Sequence, residues 1–504
     1  MTNDAATTQQ MMPLVDAIAR WSQRPHAGFY TPGHKRGTSV LPEMTELLGS
    51  ALQADLPELP GLDNLFSPEG VIEEAQSLAA QTFGSDRTWF LANGSTCGIE
   101  AALLSVCRPG DRIVVPRNAH QSIISGLILS GAVPIFVPPT YDSKWDMALG
   151  LSVAQIRSAL DQHPDAVAVM LVSPTYYGVC SDVEAIATLV HSYDIPLLVD
   201  EAHGPHFGFH PDLPESAMKA GADLAVQSTH KVLSALTQAS MLHFQSVGLP
   251  GRSPYRLSPV RIQTALQMVQ SSSPSYLLLA SLDAARQQMA TDGYGLMERT
   301  LKLAQEGRSR LSTLPGLRVL EPSDLETDES LRLDITRLTV DVTELGLTGF
   351  EADDILNENF GVVAELPTLK TLTFIISLGN SSNDIERLVQ GFTMLAQQHR
   401  RSVPLPNELS PLKPFETSIP TITIPALSPR DAFFAESESV AIAQAIGRIS
   451  AELICPYPPG IPALIPGEKI TADAIRTLRH ILSAGGIVSG CADASLETLR
   501  VISQ

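Results

Sequence analysis

An α/β fold is predicted: a mostly parallel sheet with helices on both faces, followed by a smaller α/β domain and a C-terminal α+β domain. Three observations carry this expectation. Short runs that are apolar on both faces alternate with helical segments, the pattern of strands buried between helix layers. Polar clusters fall just after those runs, at the sheet edge where such folds bind ligands. The 504 residues suffice for about three domains.

Met12 to Trp21 has helical spacing, with Leu14, Ile18 and Trp21 on one face. Phe29 to Gly37 and Pro60 to Pro68 are loops shaped by Pro and Gly. Glu69 to Phe83 is helical and ends at Gly84-Ser85-Asp86. Strands are then expected at Trp89–Leu91, Arg112–Pro116, Val133–Val137, Val167–Val172, Ile195–Val199, Leu224–Val226 and Met241–Phe244. Helices are expected at Ile99–Cys107, Ser122–Ser130, Val183–Tyr193 and Pro274–Ala304, with Ser271-Ser272-Ser273 as a cap before the last. From about Gly316 the spacing widens. Leu331–Val340, Val362–Leu366 and Thr371–Ser377 read as strands, and Glu351–Asn359 and Asp384–Gln398 as helices. Seven prolines between Pro404 and Pro429 have linker composition. A helix at Ala472–Ala484 closes the last unit. The expected division is therefore 1–30, an N-terminal helical segment; 31–305, a large ligand-binding domain; 306–403, a small domain; 404–430, a linker; and 431–504, a C-terminal domain.

Net charge is −20, from 34 basic and 54 acidic side chains. That argues against nucleic acid or an anionic membrane as partner and is compatible with a small cationic substrate. The five scattered cysteines form no CxxC pair, as expected of reduced thiols in a cytosol. No apolar run approaches the ~20 residues of a membrane span. A soluble cytoplasmic protein is expected.

The chemistry centres on Gln227-Ser228-Thr229-His230-Lys231, placed just after a buried strand. A lysine amine attacks a carbonyl only when neutral, and a site can lower its pKa to favour that form. Ser228, Thr229 and His230 can donate to a phosphate. An aldehyde cofactor carrying a phosphate, pyridoxal 5'-phosphate, needs both features. Asp200-Glu201-Ala202-His203-Gly204 ends the preceding strand. A carboxylate there can keep a pyridine nitrogen protonated, and Asp200 is favoured over Glu201 because it leaves the strand first. A cap, a salt bridge, or a metal set of Asp200, His203 and His206 are the alternatives. Gly94, Ser95 and Thr96 lie between a strand and a helix and make a phosphate cup or an ordinary cap. His120 follows another strand and can stack on a pyridine ring or be structural. Glu468, in a Pro/Gly-shaped loop, faces a cationic substrate or solvent.

With these residues in place the chain resembles the bacterial ornithine/lysine/arginine decarboxylases. The resemblance rests on Thr31-Pro32-Gly33-His34-Lys35, Leu62-Asp63-Asn64-Leu65, Asn93-Gly94-Ser95-Thr96, Asn118-Ala119-His120, Asp200-Glu201-Ala202-His203-Gly204, Ser228-Thr229-His230-Lys231 and the loop at Pro456. It spans nearly the whole chain, at the length of the shorter members that lack an N-terminal wing domain. Gln121 departs from the lysine many relatives carry there. The resemblance implies the aspartate aminotransferase fold (fold type I) and decarboxylation of a basic amino acid. Arginine is favoured, giving agmatine and CO2, with lysine or ornithine as alternatives. A transaminase or a non-catalytic cofactor-binding homologue is a competing reading. The resemblance also implies that Lys231 forms the Schiff base, that Asp200 pairs with the pyridine nitrogen and that His120 stacks on the ring. Ser95, Thr96, Ser228 and His230 would take the phosphate, and Ser272 would reach the site of a second subunit in a homodimer. Lys231 and His203 are both candidates to return a proton to the α-carbon. Glu468 and Asp63 are both candidates to read the substrate head group.

Overall fold

The computed structural model describes residues 8–246, 257–325, 330–399, 422–457 and 460–503. The chain divides into two compact units, Met1–Ser105 with Asp200–Met297 and Val106–Val199 with Glu298–Gln504.

The main sheet has seven strands: β1 (Arg87–Leu91), β2 (Arg112–Pro116), β3 (Val133–Val137), β4 (Ala166–Val172), β5 (Leu197–Asp200), β6 (Leu224–Gln227) and β7 (Ser240–Phe244). Their order is β1-β7-β6-β5-β4-β2-β3. β2 runs parallel to β3 and β4, as runs apolar on both faces predict. β7 is antiparallel to both β1 and β6. All seven strands were expected, two with the same ends and the others with ends shifted by one or two residues.

In the first unit the helix Pro13–Gln23 starts on a proline at its first position, where the missing N–H costs nothing. Its Leu14 and Val15 amides donate to the buried carboxylate of Asp283, which also pairs with buried Arg286. Leu14, Ala17 and Ile18 pack with Leu62, Ile72, Phe90 and Tyr276 into one core. Trp21 is only partly buried; its indole N–H donates to Pro60 O at 3.0 Å.

The helix after β1 begins at Gly94 and runs to Val106. Its expected start at Ile99 was five residues late, because Gly94-Ser95-Thr96-Cys97-Gly98 reads as a turn but forms the first helical turn. Gly94 enters with φ +77. At Gly98 a Cβ would stand 2.6 Å from Leu91 Cδ1 and 2.8 Å from Val226 Cγ1, so helix and strands touch there. Gly98→Ala gains about 1 kcal/mol of helix propensity and incurs about 1–3 kcal/mol of overpacking. A lowered melting temperature is expected; a raised one would mean the strands yield.

In the second unit a four-stranded antiparallel sheet is built from Arg318–Val319, Arg337–Asp341, Thr371–Ile375 and Leu366–Pro367. The helices Gly349–Phe360 and Ser382–Gln398 pack on it. The run Leu331–Val340, expected as one strand, breaks where Asp334 accepts from the amide and hydroxyl of Thr336. The expected strand Val362–Leu366 shrinks to Leu366–Pro367, since Val362 N still closes the preceding helix on Leu356 O. Helices at Val153–Gln162 and Pro259–Val269, and the pairing of Ser437–Ala441 with Thr498–Ile502, were not expected. The proline-rich stretch falls outside the described residues from 404 to 421. Beyond it Thr423 bridges to Phe136 by two backbone bonds, and a short helix starts at Pro429. No described helix is long and apolar enough to cross a membrane.

Candidate active site

Lys231 ends a one-turn helix, Thr229–Lys231, directly after β6. Its Nζ lies 2.9 Å from Nε2 of buried His203. The turn is held by Lys231 N on Ser228 O and by His230 N on Ala239 O.

Asp200 is the last residue of β5 and is buried. Oδ1 accepts from Ala202 N at 3.1 Å. Burial pushes its carboxyl up, against the opposing attraction of Lys231 and the Ala202 amide. Desolvation thus outweighs the cationic help it receives, and a further positive partner would be welcomed.

Glu201, the other acid of the motif, is buried as well, but Oε1 accepts from Ala217 N at 2.7 Å and Oε2 from Gln227 Nε2 at 2.8 Å. Burial raises its carboxyl to about 8. Gly204 stands against it: a Cβ there would lie 2.8 Å from Glu201 Cγ. Different partners separate the two acids: Asp200 bonds the Ala202 amide, and Glu201 bonds Ala217 and Gln227.

Ser228 Oγ donates to Ser95 Oγ at 2.7 Å. Thr96 is exposed on the first turn of its helix. His230 Nδ1 is bonded to Ala239 O at 3.0 Å, so this nitrogen carries the proton; burial lowers the pKa of the ring. For Nε2 to donate to an anion the ring must gain a second proton, which an adjacent anion favours. Ser272 is exposed in a turn tied to the Gly94 segment by Ser271 N on Asn93 Oδ1 at 3.2 Å.

These residues fit pyridoxal phosphate. An amine sits beside a buried acid short of positive charge, and hydroxyls meet at a helix N-terminus.

The remaining candidates are occupied differently. His120 caps the helix Gln121–Ser130, with Nδ1 accepting from Ser122 N. Gln121 N binds Gly460 O at 3.2 Å. Glu468 meets Arg117 fork to fork, Nε to Oε1 at 3.0 Å and Nη2 to Oε2 at 2.9 Å. Both border a cavity of about 780 Å³ inside the second unit. A cationic head group there would meet this Arg117–Glu468 pair rather than a bare acid. Asp63, with φ +69, accepts from the amides of Asn64, Glu69, Gly70, Ile72 and Glu73. Those five N–H groups anchor the start of the Val71–Phe83 helix on its carboxylate.

Arg117 was missed by sequence reading, being one of many surface-type cations. It also donates to Pro462 O and Ala463 O. Arg117→Ala leaves Glu468 and two carbonyls unmatched, and with both side chains mostly buried a loss of about 2–4 kcal/mol is expected, discounted from a fully buried pair. Thermal unfolding measures it; an unchanged midpoint would show that the pair adds nothing.

Comparison with known proteins gives the family. The family model for the Orn/Lys/Arg decarboxylase major domain matches residues 12–384, and that for the C-terminal domain matches 414–488. An arginine decarboxylase of Bacillus subtilis is 41% identical over 498 residues, 99% of each chain, and one of Bacillus anthracis is 40% identical over 99% of this chain and 98% of its own. The crystal structure of the Francisella novicida lysine decarboxylase LdcF superposes with a TM-score of 0.82 at 22% identity, covering 98% of this chain and 82% of that one. The chain therefore belongs to the Orn/Lys/Arg decarboxylase family, a family of pyridoxal-phosphate-dependent amino-acid decarboxylases.

Proposed function

We propose that the protein decarboxylates arginine to agmatine and CO2 with pyridoxal phosphate. The observation that carries this is the Lys231 amine beside His203 and the buried Asp200, all at the ends of adjacent strands. When bound, the cofactor offers an aldehyde carbon for an amine and a ring that takes up the electrons released as CO2 leaves.

The chain's own residues supply the rest. Lys231 is the amine that would hold the cofactor's aldehyde. Asp200 would keep a proton on the pyridine nitrogen. Ser95, Ser228 and His230 bind phosphate, with Gly94 and Thr96 shaping the helix start. His120 would stack on the ring. Lys231 and His203 share one hydrogen bond, so this pair returns a proton to the α-carbon.

The choice of arginine is supported by the names of the relatives near 40% identity over the full chain, whereas a lysine decarboxylase of Pseudomonas aeruginosa is 26% identical over 93% of it. We place the enzyme in the cytoplasm, working in polyamine biosynthesis as a homodimer in which Ser272 reaches the partner's phosphate. Domain limits near 31, 306, 404 and 431 belong to the same proposal. The test is product analysis with purified protein, added cofactor, and arginine, lysine and ornithine in competition. Agmatine with CO2 is expected. A keto acid would show transamination, and no CO2 from any of the three would end the proposal.

A further inference from the structure

Glu201 terminates a buried chain of hydrogen bonds that the reaction does not use. Ser85 Oγ and Thr88 Oγ1 are 2.9 Å apart, Thr88 Oγ1 and His243 Nδ1 2.8 Å, His243 Nε2 and Gln227 Oε1 3.0 Å, and Gln227 Nε2 and Glu201 Oε2 2.8 Å. Ser85 is half-buried and reaches solvent; the other four are buried. The chain crosses strands: Thr88 on β1 is the register partner of His243 on β7, and Gln227 is the last residue of β6. Glu201 N donates to Val226 O, and Ser228 N to Ala202 O. Glu201 and Gln227 thus tie together the two strand ends whose next neighbours, Asp200 and Ser228, belong to the site.

We propose that Glu201 is a positioning residue: through Gln227 it fixes the strand ends bearing Asp200 and Ser228, and the donor direction of the whole chain reverses when Glu201 gains or loses a proton. The reversal follows from donor counting. With Glu201 ionised, Gln227 donates to it, His243 carries its proton on Nε2, and Thr88 donates to Nδ1. With Glu201 protonated on Oε2, it donates to Gln227 Oε1 and the amide turns over. The amide then donates to His243 Nε2, the ring proton moves to Nδ1, and Thr88 donates outward to Ser85. Ala217 N satisfies Oε1 in both states. Neither state leaves a buried group unmatched, so both are accessible.

The surroundings set where the change occurs. Asp200 and His203 flank Glu201 on its own segment, and Lys231 faces Asp200. Asp223 and His206 are buried nearby in the chain, Asp86 follows Ser85, and Glu215 pairs with Lys219 at the surface. Phe83 stacks on His243 with ring centroids 4.9 Å apart. Among the described residues no charged group contributes to the shift of Glu201 or His243. Burial raises the acid to about 8 and lowers the imidazole to about 3. His243 therefore stays neutral while Glu201 titrates. An ionised Glu201 adds a buried negative charge beneath a site that must accept a phosphate.

The experiment has two arms, and only the second rests on the assignment of Lys231 and Asp200. Difference infrared spectra of the holoenzyme are recorded from about pH 6 to about pH 10. A buried carboxylic C=O band should vanish near pH 8, be missing in Glu201→Gln, and move in Thr88→Val, which cuts the chain far from the cofactor. The dissociation constant of pyridoxal phosphate from apoenzyme is then followed over the same range. It should weaken about five- to tenfold across the same break, and this step should be lost in Glu201→Gln. No titrating band in the native protein overturns the proposal without touching the decarboxylase reading. A titrating band with identical cofactor profiles in the native protein and Glu201→Gln overturns the positioning role.

Discussion

Lys231→Ala is expected to lower turnover about 10⁴-fold or more, the scale of losing a covalent catalytic group. Borohydride reduction of the native holoenzyme should fix the cofactor's mass on the peptide containing residue 231, and the variant should carry none. The cause is local. This amine stands 2.9 Å from His203 Nε2 at the end of β6, and alanine leaves the imidazole without it. The fold should persist, because Lys231 is only half-buried and the turn around it is held by backbone bonds from Lys231 N and His230 N. Cofactor mass on a different lysine, with turnover kept, would move the centre of the site elsewhere.

Asp200→Asn should reduce kcat about 10²- to 10⁴-fold, with a smaller change in KM, since it removes charge stabilisation that matters most as electrons enter the ring. The apoenzyme should be no less stable. Burial already disfavours the Asp200 carboxylate, and a neutral amide of the same shape escapes that cost while still accepting from Ala202 N. The sign for pH follows. The raised carboxyl stays protonated in the folded apoenzyme through a range where the unfolded chain has released its proton. Stability of the native apoenzyme therefore falls as pH rises above the ordinary carboxylate value, until the folded group itself ionises. Asp200→Asn should flatten this part of the profile. A variant with kcat within threefold of the native enzyme would show that Asp200 does not hold the ring proton.

Much of this was legible in the residues. The seven strands of the main sheet were readable because strands buried on both faces leave continuous apolar runs, and Lys231, Asp200 and Ser228 stood out as candidates because their clusters follow those runs. The start of the helix at Gly94 was not, since five small and polar residues in a row carry turn chemistry until Leu91 and Val226 show how closely a glycine must pack. The break at Asp334 escaped for a similar reason: a side chain capturing the backbone of Thr336 leaves no periodic trace.

The chain alone, through local pattern and motif spacing, determined the fold class and offered the lysine and the acid as candidates after buried strands. Partnership was left to tertiary structure. Sequence favoured Asp200 over its neighbour Glu201 only as the first residue off the strand; the folded chain adds that Glu201 is held by Gln227 and Ala217 while Asp200 feels Lys231. Asp63 and Glu468 looked like acids awaiting a cation. One is saturated by five backbone amides and the other by Arg117, 351 residues away. A carboxylate's function depends on which donors reach it first, and contacts that distant in sequence form only when the chain has folded.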